Sequence, residues 1–249
     1  ISKARTFCAL PNSLVMEKLV DLPRDLNPQQ MAAFVELKAS KLFPLSLTDL
    51  SLDHTVSHRI NKSSEAAVVH IAACRRDDIL PRQRICQQTG FDLLSIEMEK
   101  HALVRAYQWQ LHHFVSKADQ PVVSDTGCVA MVDMGADSLE FVVFKKEHIL
   151  YSDELAFGAN KLRAQIQEHF DLTLEEAGDV AFRATLDPSE LMPLIDEFAD
   201  KLMRNILRLL KGAGRADLTI DHLVVTGGLS QLDQLVDYIV NNSSIPAEV

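Results

Sequence analysis

The sequence predicts an α/β protein built as two lobes. Short strand patterns alternate with amphipathic helix patterns in both halves of the chain. A polar stretch with one proline, Ser116 to Gly127, separates the two sets and places a domain boundary there. The length of 249 residues suits one large domain or two ordinary ones. Two lobes leave a cleft between them, and clefts are where ligands bind.

The first half reads strand, strand, helix, strand, strand. Thr6 to Leu10 is apolar and stops at the turn cluster Pro11-Asn12-Ser13; Val15 to Leu22 stops at Pro23. Asn27-Pro28 opens a helix, with Asn as cap and Pro at the first helical position, where its missing N–H costs nothing. Met31, Phe34, Val35 and Leu42 follow at helical spacing, and Pro44 lies beyond the stop. Leu50 to His58 alternates like a half-buried strand, Asn61 to Glu65 is a polar loop, and Ala66 to Ala73 is a buried strand. A helix from about Asp77 to Thr89 ends at Gly90, the usual left-handed stop. Phe91 to Ile96 is a strand and Glu97 to about Phe114 a helix.

The second half restarts with a hairpin, Cys128 to Asp133 and Ser138 to Phe144, followed by a third strand, Ile149 to Leu155. Helices are expected at Asn160 to Phe170 and Thr173 to Arg183. A long one ends at Lys211, with Leu194, Ile195, Phe198, Leu202, Ile206 and Leu209 on one stripe. Its start is ambiguous, because Asp187-Pro188-Ser189-Glu190 reads as a capping box yet puts Pro193 inside the helix. Gly212 to Asp221 reads as a loop, His222 to Thr226 as a strand, Gly227-Gly228 as a tight turn, and Ser230 to Asn241 as a helix.

Composition excludes several functions. With 47% apolar and 24% charged residues the chain has the makings of a packed core. Its 35 acids against 25 bases give a net charge of −10, so nothing draws it generally to nucleic acid or anionic lipid. The most apolar stretch, Ala66 to Cys74, is broken by His70 and ends in Arg75-Arg76-Asp77-Asp78, so no membrane span is expected. Ile1 is not a translation start and no apolar signal region follows it, so the chain reads as a fragment or processed product. Cys8, Cys74, Cys86 and Cys128 share no metal or redox spacing, and they read as small apolar fillers in a reducing compartment, the cytosol by default. His112 and His113 are adjacent on a helix, about 100° apart, and cannot chelate one metal well. No hydrolase elbow, Walker loop or HExxH motif occurs.

Two turns could carry chemistry. Asp133-Met134-Gly135-Ala136-Asp137-Ser138 tips an apolar hairpin, where a glycine lets backbone N–H groups approach an anion and Asp133 could hold a metal-bound water. Val224-Val225-Thr226-Gly227-Gly228 leads a strand into a helix, a ready nucleotide edge. Taken alone, each reads first as a plain turn that needs glycine for its geometry.

Taken together, the motifs resemble the PilM family of type IV pilus assembly proteins, bacterial actin-like proteins related to the cell-division protein FtsA. The resemblance rests on Ala9-Leu10-Pro11-Asn12-Ser13, on Phe43-Pro44-Leu45 with Leu50-Ser51-Leu52-Asp53, and on Ala72-Ala73-Cys74-Arg75 with Gly90-Phe91. It continues through Glu97-Met98-Glu99-Lys100-His101-Ala102-Leu103 and Leu155-Ala156-Phe157-Gly158 with Leu162. It implies an actin-like, ribonuclease H-like two-lobed fold with an FtsA-type inserted 1C subdomain, truncated at both ends. Residues 1–90 would be the inserted subdomain, 91–118 part of subdomain 1A, and 119–249 subdomains 2A and 2B.

The resemblance makes the hairpin the second phosphate loop and Gly227-Gly228 the adenosine motif. The implied cofactor is ATP with Mg2+, held by Asp133, Gly135, Ala136, Gly158, Gly227 and Gly228, with Asp133 on the metal side. The implied partner is a PilN-like inner-membrane protein, whose N-terminal peptide docks between subdomains 1A and 1C, together with other pilus platform proteins. That makes the chain a cytoplasmic scaffold peripheral to the inner membrane, at most a weak ATP-binding actin-like protein, with enzymatic activity left open. The sequence also departs from the family. The first phosphate loop would precede Ile1, the second glycine of a Gly-Gly-Lys triple is Ala159, and a nucleotide-contacting lysine is Ala181. Asp137 adds a carboxylate where small side chains are common and would repel a triphosphate. Together these departures imply weakened nucleotide binding or none. Two other readings stay open: a module without nucleotide, of the MshI or type II secretion kind, and an active ATPase or kinase.

Overall fold

The computed structural model describes residues 4–56, 66–114, 127–183, 188–214 and 218–249. The expected polar loop at 61–65, nearly all of the expected boundary at 116–127, and Asp187 of the capping box lie outside the described residues, as do the side chains of His112, His113 and Ala181. The chain divides into two compact units, Ile1–Ala102 and Leu103–Val249.

The first unit holds two small sheets. Strand β1 (Arg5–Leu10) pairs in parallel with β5 (Asp92–Met98). Strands β2 (Val15–Pro23), β3 (Leu50–Val56) and β4 (Ala66–Arg75) form an antiparallel sheet in the order β2-β4-β3. Helix α1 (Pro28–Leu42) starts where Asn27 predicts: the Asn27 side chain accepts from the Gln30 N–H at 2.9 Å, and the Gln30 side chain accepts from the Asn27 N–H at 3.0 Å. Its Met31, Val35 and Ala39, four residues apart, pack with Val69, Ile71 and Ala73 of β4 in one core. Helix α2 (Arg76–Thr89) ends at Gly90, left-handed at φ 78°. The four cysteines are free thiols, three of them buried, with the Sγ atoms of Cys8 and Cys86 3.9 Å apart.

Helix α3 (Glu99–Phe114) begins in the first unit and continues into the second. Strand β5 runs to Met98, so the helix starts two residues later than the sequence suggests.

The second unit is built on a five-stranded sheet. Strands β6 (Val129–Met134), β7 (Leu139–Lys145) and β8 (His148–Leu155) form an antiparallel meander. Strand β9 (His222–Thr226) runs parallel to β6, and the short β10 (Ala247–Glu248) parallel to β9, giving the order β10-β9-β6-β7-β8. Both faces are buried, which is why β6 and β7 read as continuous apolar runs. Ala130, Val132, Met134, Leu139, Phe141 and Val143 belong to the larger core, shared with helices α4 (Ala159–Phe170), α5 (Leu174–Arg183), α6 (Pro188–Gly214) and α7 (Asp233–Asn242). Val129, Met131, Val142 and Phe144 face Val104 and Tyr107 of α3.

Two sequence expectations are corrected and one ambiguity is resolved. Helix α6 does not stop at Lys211 but runs through Gly212 to Gly214. Ala213 is fully buried, and a Cβ on Gly212 would lie 2.7 Å from the Tyr151 hydroxyl, so close packing overrides the weak helix propensity of glycine. The ambiguous start of α6 lies at Pro188, so Pro193 sits inside the helix, in its second turn. The helix expected from Ser230 begins at Asp233, after a 3-10 turn over Gly228–Gln231 in which the Ser230 hydroxyl donates to the Gly227 carbonyl at 2.8 Å.

Candidate functional site

Three turns meet at one end of the five-stranded sheet. Met134 pairs with Leu139, so Gly135 to Ser138 form the hairpin tip, closed by the Gly135 N–H donating to the Ser138 carbonyl at 3.0 Å. Asp133 lies in register with Glu140 of β7 on one side and Thr226 of β9 on the other. Gly227, which follows β9, has φ 92°. A Cβ there would stand 2.5 Å from Asp133 Oδ1 and 2.6 Å from both the N and O of Met134. Gly158, before α4, approaches the tip as closely: its Cβ would stand 2.5 Å from the Ala136 carbonyl oxygen and 2.7 Å from the Asp137 nitrogen. The structure thus brings Asp133, Gly135, Ala136, Gly158 and Gly227 together. Gly228 adjoins them with open space where a Cβ would go.

The hairpin tip and the first turn of α4 are tied to each other. A helix N-terminus is a ready anion site only while its first N–H groups are free. The Ala159 N–H donates to the Gly135 carbonyl at 3.0 Å and the Asn160 N–H to the Ala136 carbonyl at 2.8 Å, so the first turn of α4 is taken up by the hairpin tip. The Asn160 amide donates to Asp137 Oδ1 at 2.7 Å, and its own oxygen accepts from Arg163 Nη1 at 3.2 Å. Arg163 Nη2 donates to the Leu174 carbonyl at the start of α5, at 2.9 Å. Asn160 and Arg163 escaped the sequence reading. Their signal was the i, i+3 spacing that puts both on one side of the first turn of α4.

Burial pushes the Asp133 carboxyl above the usual carboxylate range. A bound cation would need the ionised form and further oxygen ligands. Among the described residues no group of three or more His, Cys, Asp or Glu stands close enough to hold a metal. The fit to a nucleotide is therefore partial: the turns have the close backbone approach a phosphate needs, but their outward charge is the Asp137 carboxylate.

The first unit carries a separate groove of about 550 Å³. Leu50, Ser51 and Leu52 line it from the start of β3, Leu47 from the 3-10 turn just before it, and Arg76, Ile79 and Leu80 from α2. Strand β3 pairs only with β4 among the described residues, so its outer edge is unpaired there. Arg76 Nε donates to the Leu50 carbonyl at 3.0 Å, which fixes the start of α2 against the start of that strand.

The model of a family described as type IV pilus assembly protein PilM matches residues 2–249. The chain belongs to the PilM family. Its structure is similar to a chain of the PilM–PilN type IV pilus biogenesis complex, at 19% identity and a TM-score of 0.74, over 100% of this chain and 69% of that one. It is also similar to MreB5 of Spiroplasma citri bound to ADP, at 13% identity and a TM-score of 0.50, over 69% of this chain and 59% of that one. Ta0583, an archaeal actin homolog in complex with ADP, matches at 15% identity and a TM-score of 0.50, over 64% of this chain and 53% of that one. At these identities the likeness is one of fold, and the fold of this PilM-family chain is actin-like. Among the described residues no helix is long and apolar enough to cross a membrane.

Proposed function

We propose that this PilM-family chain is a scaffold of the type IV pilus assembly platform, peripheral to the inner membrane, which docks an extended peptide of a PilN-type partner. The observation that carries this reading is the groove of the first unit. It sets an unpaired strand edge beside a mixed lining, apolar at Leu47, Leu52, Ile79 and Leu80 and polar at Glu36, Arg76 and Gln83. Those are the two components of β-strand addition: main-chain hydrogen bonds give affinity, and pockets for alternate side chains give specificity. Leu80 is 40% exposed, an apolar side chain at the rim left for a partner. The solved PilM–PilN complex, similar in fold, supports a partner of the PilN kind. The test is a calorimetric titration of the partner's N-terminal cytoplasmic peptide into the full chain and into Leu80→Glu. Micromolar binding that the variant loses supports the reading, and equal binding to both sinks it.

A second reading concerns nucleotide. The two ADP-bound relatives of the same fold make ATP a reasonable ligand, and the convergence of three glycine turns favours it. Asp133, Gly135, Ala136, Gly158, Gly227 and Gly228 would then form the phosphate and adenosine edge, with Asp133 on the Mg2+ side. The ligand would brace the fold as a regulator. A titration of Mg-ATP checks this, with Asp133→Ala expected to weaken whatever binding is found.

A further inference from the structure

We propose that Asp137 is a built-in anion that holds the hairpin tip in its gripping shape without nucleotide and sets the affinity of that tip for polyphosphates low. The proposal rests on the reading of this end of the sheet as a nucleotide edge. Its warrant is a continuous chain of contacts. Asp137 Oδ1 accepts from the Asn160 amide, Asn160 Oδ1 accepts from Arg163, and Arg163 donates onward to the Leu174 carbonyl. The main chain runs alongside, with the Gly135 and Ala136 carbonyls held by the N–H groups of Ala159 and Asn160.

A loop that grips a phosphate is ordinarily short of negative charge, and the phosphate supplies it. Here the carboxylate of Asp137 supplies a negative charge at the exposed tip, and the Asn160 amide takes the place of a donor to the ligand. An incoming polyphosphate meets like charge, and it finds the α4 N-terminus already engaged. Asp137 is therefore a specificity-determining residue, and Asn160 and Arg163 are positioning residues that act through it. Gly158 lets the helix start sit directly against the tip, because no Cβ separates it from Ala136.

The charge and the latch are separable by two substitutions. Asp137→Ser removes both, whereas Asn160→Ala breaks the latch and leaves the charge. Mg-ATP and Mg-ADP are titrated by calorimetry into the full wild-type chain and both variants, and hydrogen exchange is read at the Gly135, Ala159 and Asn160 amides. Both variants should exchange faster at those amides, while only Asp137→Ser should bind Mg-ATP more tightly, by about tenfold or more. Equal affinity of wild type and Asp137→Ser for Mg-ATP overturns the proposal and leaves the nucleotide reading standing. Unchanged exchange in both variants overturns the latch. If none of the three proteins binds either nucleotide, the nucleotide reading fails and the proposal with it.

Discussion

Gly158 and Ala136 approach each other so closely that a single methyl group on Gly158 would lie 2.5 Å from the Ala136 carbonyl oxygen and 2.6 Å from its carbon. Those are backbone atoms of a hairpin tip and cannot swing aside as a flexible side chain can. Gly158→Ala is expected to push α4 off the tip and to cost about 1–3 kcal/mol, the usual penalty for overpacking. Urea unfolding monitored by circular dichroism reads this directly. A loss below experimental error would mean the tip and α4 move apart freely.

Two other glycines have positive φ but different surroundings. Gly90 closes α2 at φ 78° with nothing within 4 Å of a Cβ. Gly227, at φ 92°, faces Asp133 Oδ1 and both polar backbone atoms of Met134 within 2.6 Å. Gly90→Ala should therefore cost only the left-handed strain, about 1–2 kcal/mol. Gly227→Ala carries that strain plus a clash with the end of β6 and should lower the melting temperature more. The order of the two melting temperatures is the check.

Glu17 of β2 joins three elements of the first unit: its carboxylate accepts from His70 of β4 at 2.9 Å and from the buried Lys100 at the start of α3. Burial alone would raise its pKa, but the hydrogen bonds from His70 and Lys100, with their charges, outweigh burial and bring it from 4.5 to about 2. Because the folded value is the lower one, the stabilisation is complete above the ordinary value and is lost as pH falls from about 4.5 toward 2. Its size is about 2 kcal/mol, after allowing for partial exposure of the carboxylate. Glu17→Gln should flatten the stability profile in that window while lowering stability at pH 7. Lys100→Met should cost more than most surface changes, about 2–3 kcal/mol, by leaving a half-buried carboxylate with His70 but without its ammonium.

The cap of α1 supplies an internal reference. Asn27→Ala removes the acceptor for the Gln30 N–H and should cost about 1 kcal/mol. Asn27→Asp should retain nearly all of it. A chemical melt of the three proteins distinguishes loss of the cap from a general surface effect.

Much of the chain was legible because the signals were local. Asn27-Pro28 determined where α1 begins, and Gly90 determined where α2 ends, since caps depend on side chains within a few residues. The apolar runs of Cys128 to Asp133 and Ser138 to Phe144 pointed to two hairpin strands, found within a residue at each end, and the structure added that both of their faces are buried. The order of weak motifs along the chain was enough to point to the PilM family. The end of α6 was not legible, because Gly212 and Ala213 are held in the helix by contact with Tyr151 and the core, which no propensity records. Nor was the contact of Asp137 with the Asn160 amide, 23 residues away in sequence, which Arg163 backs in turn. The spacing of glycines named the turns, but only the packing of α4 and β9 against one hairpin tip decided that they meet. A sequence fixes which backbone positions can tolerate close approach, and tertiary packing alone decides what approaches them.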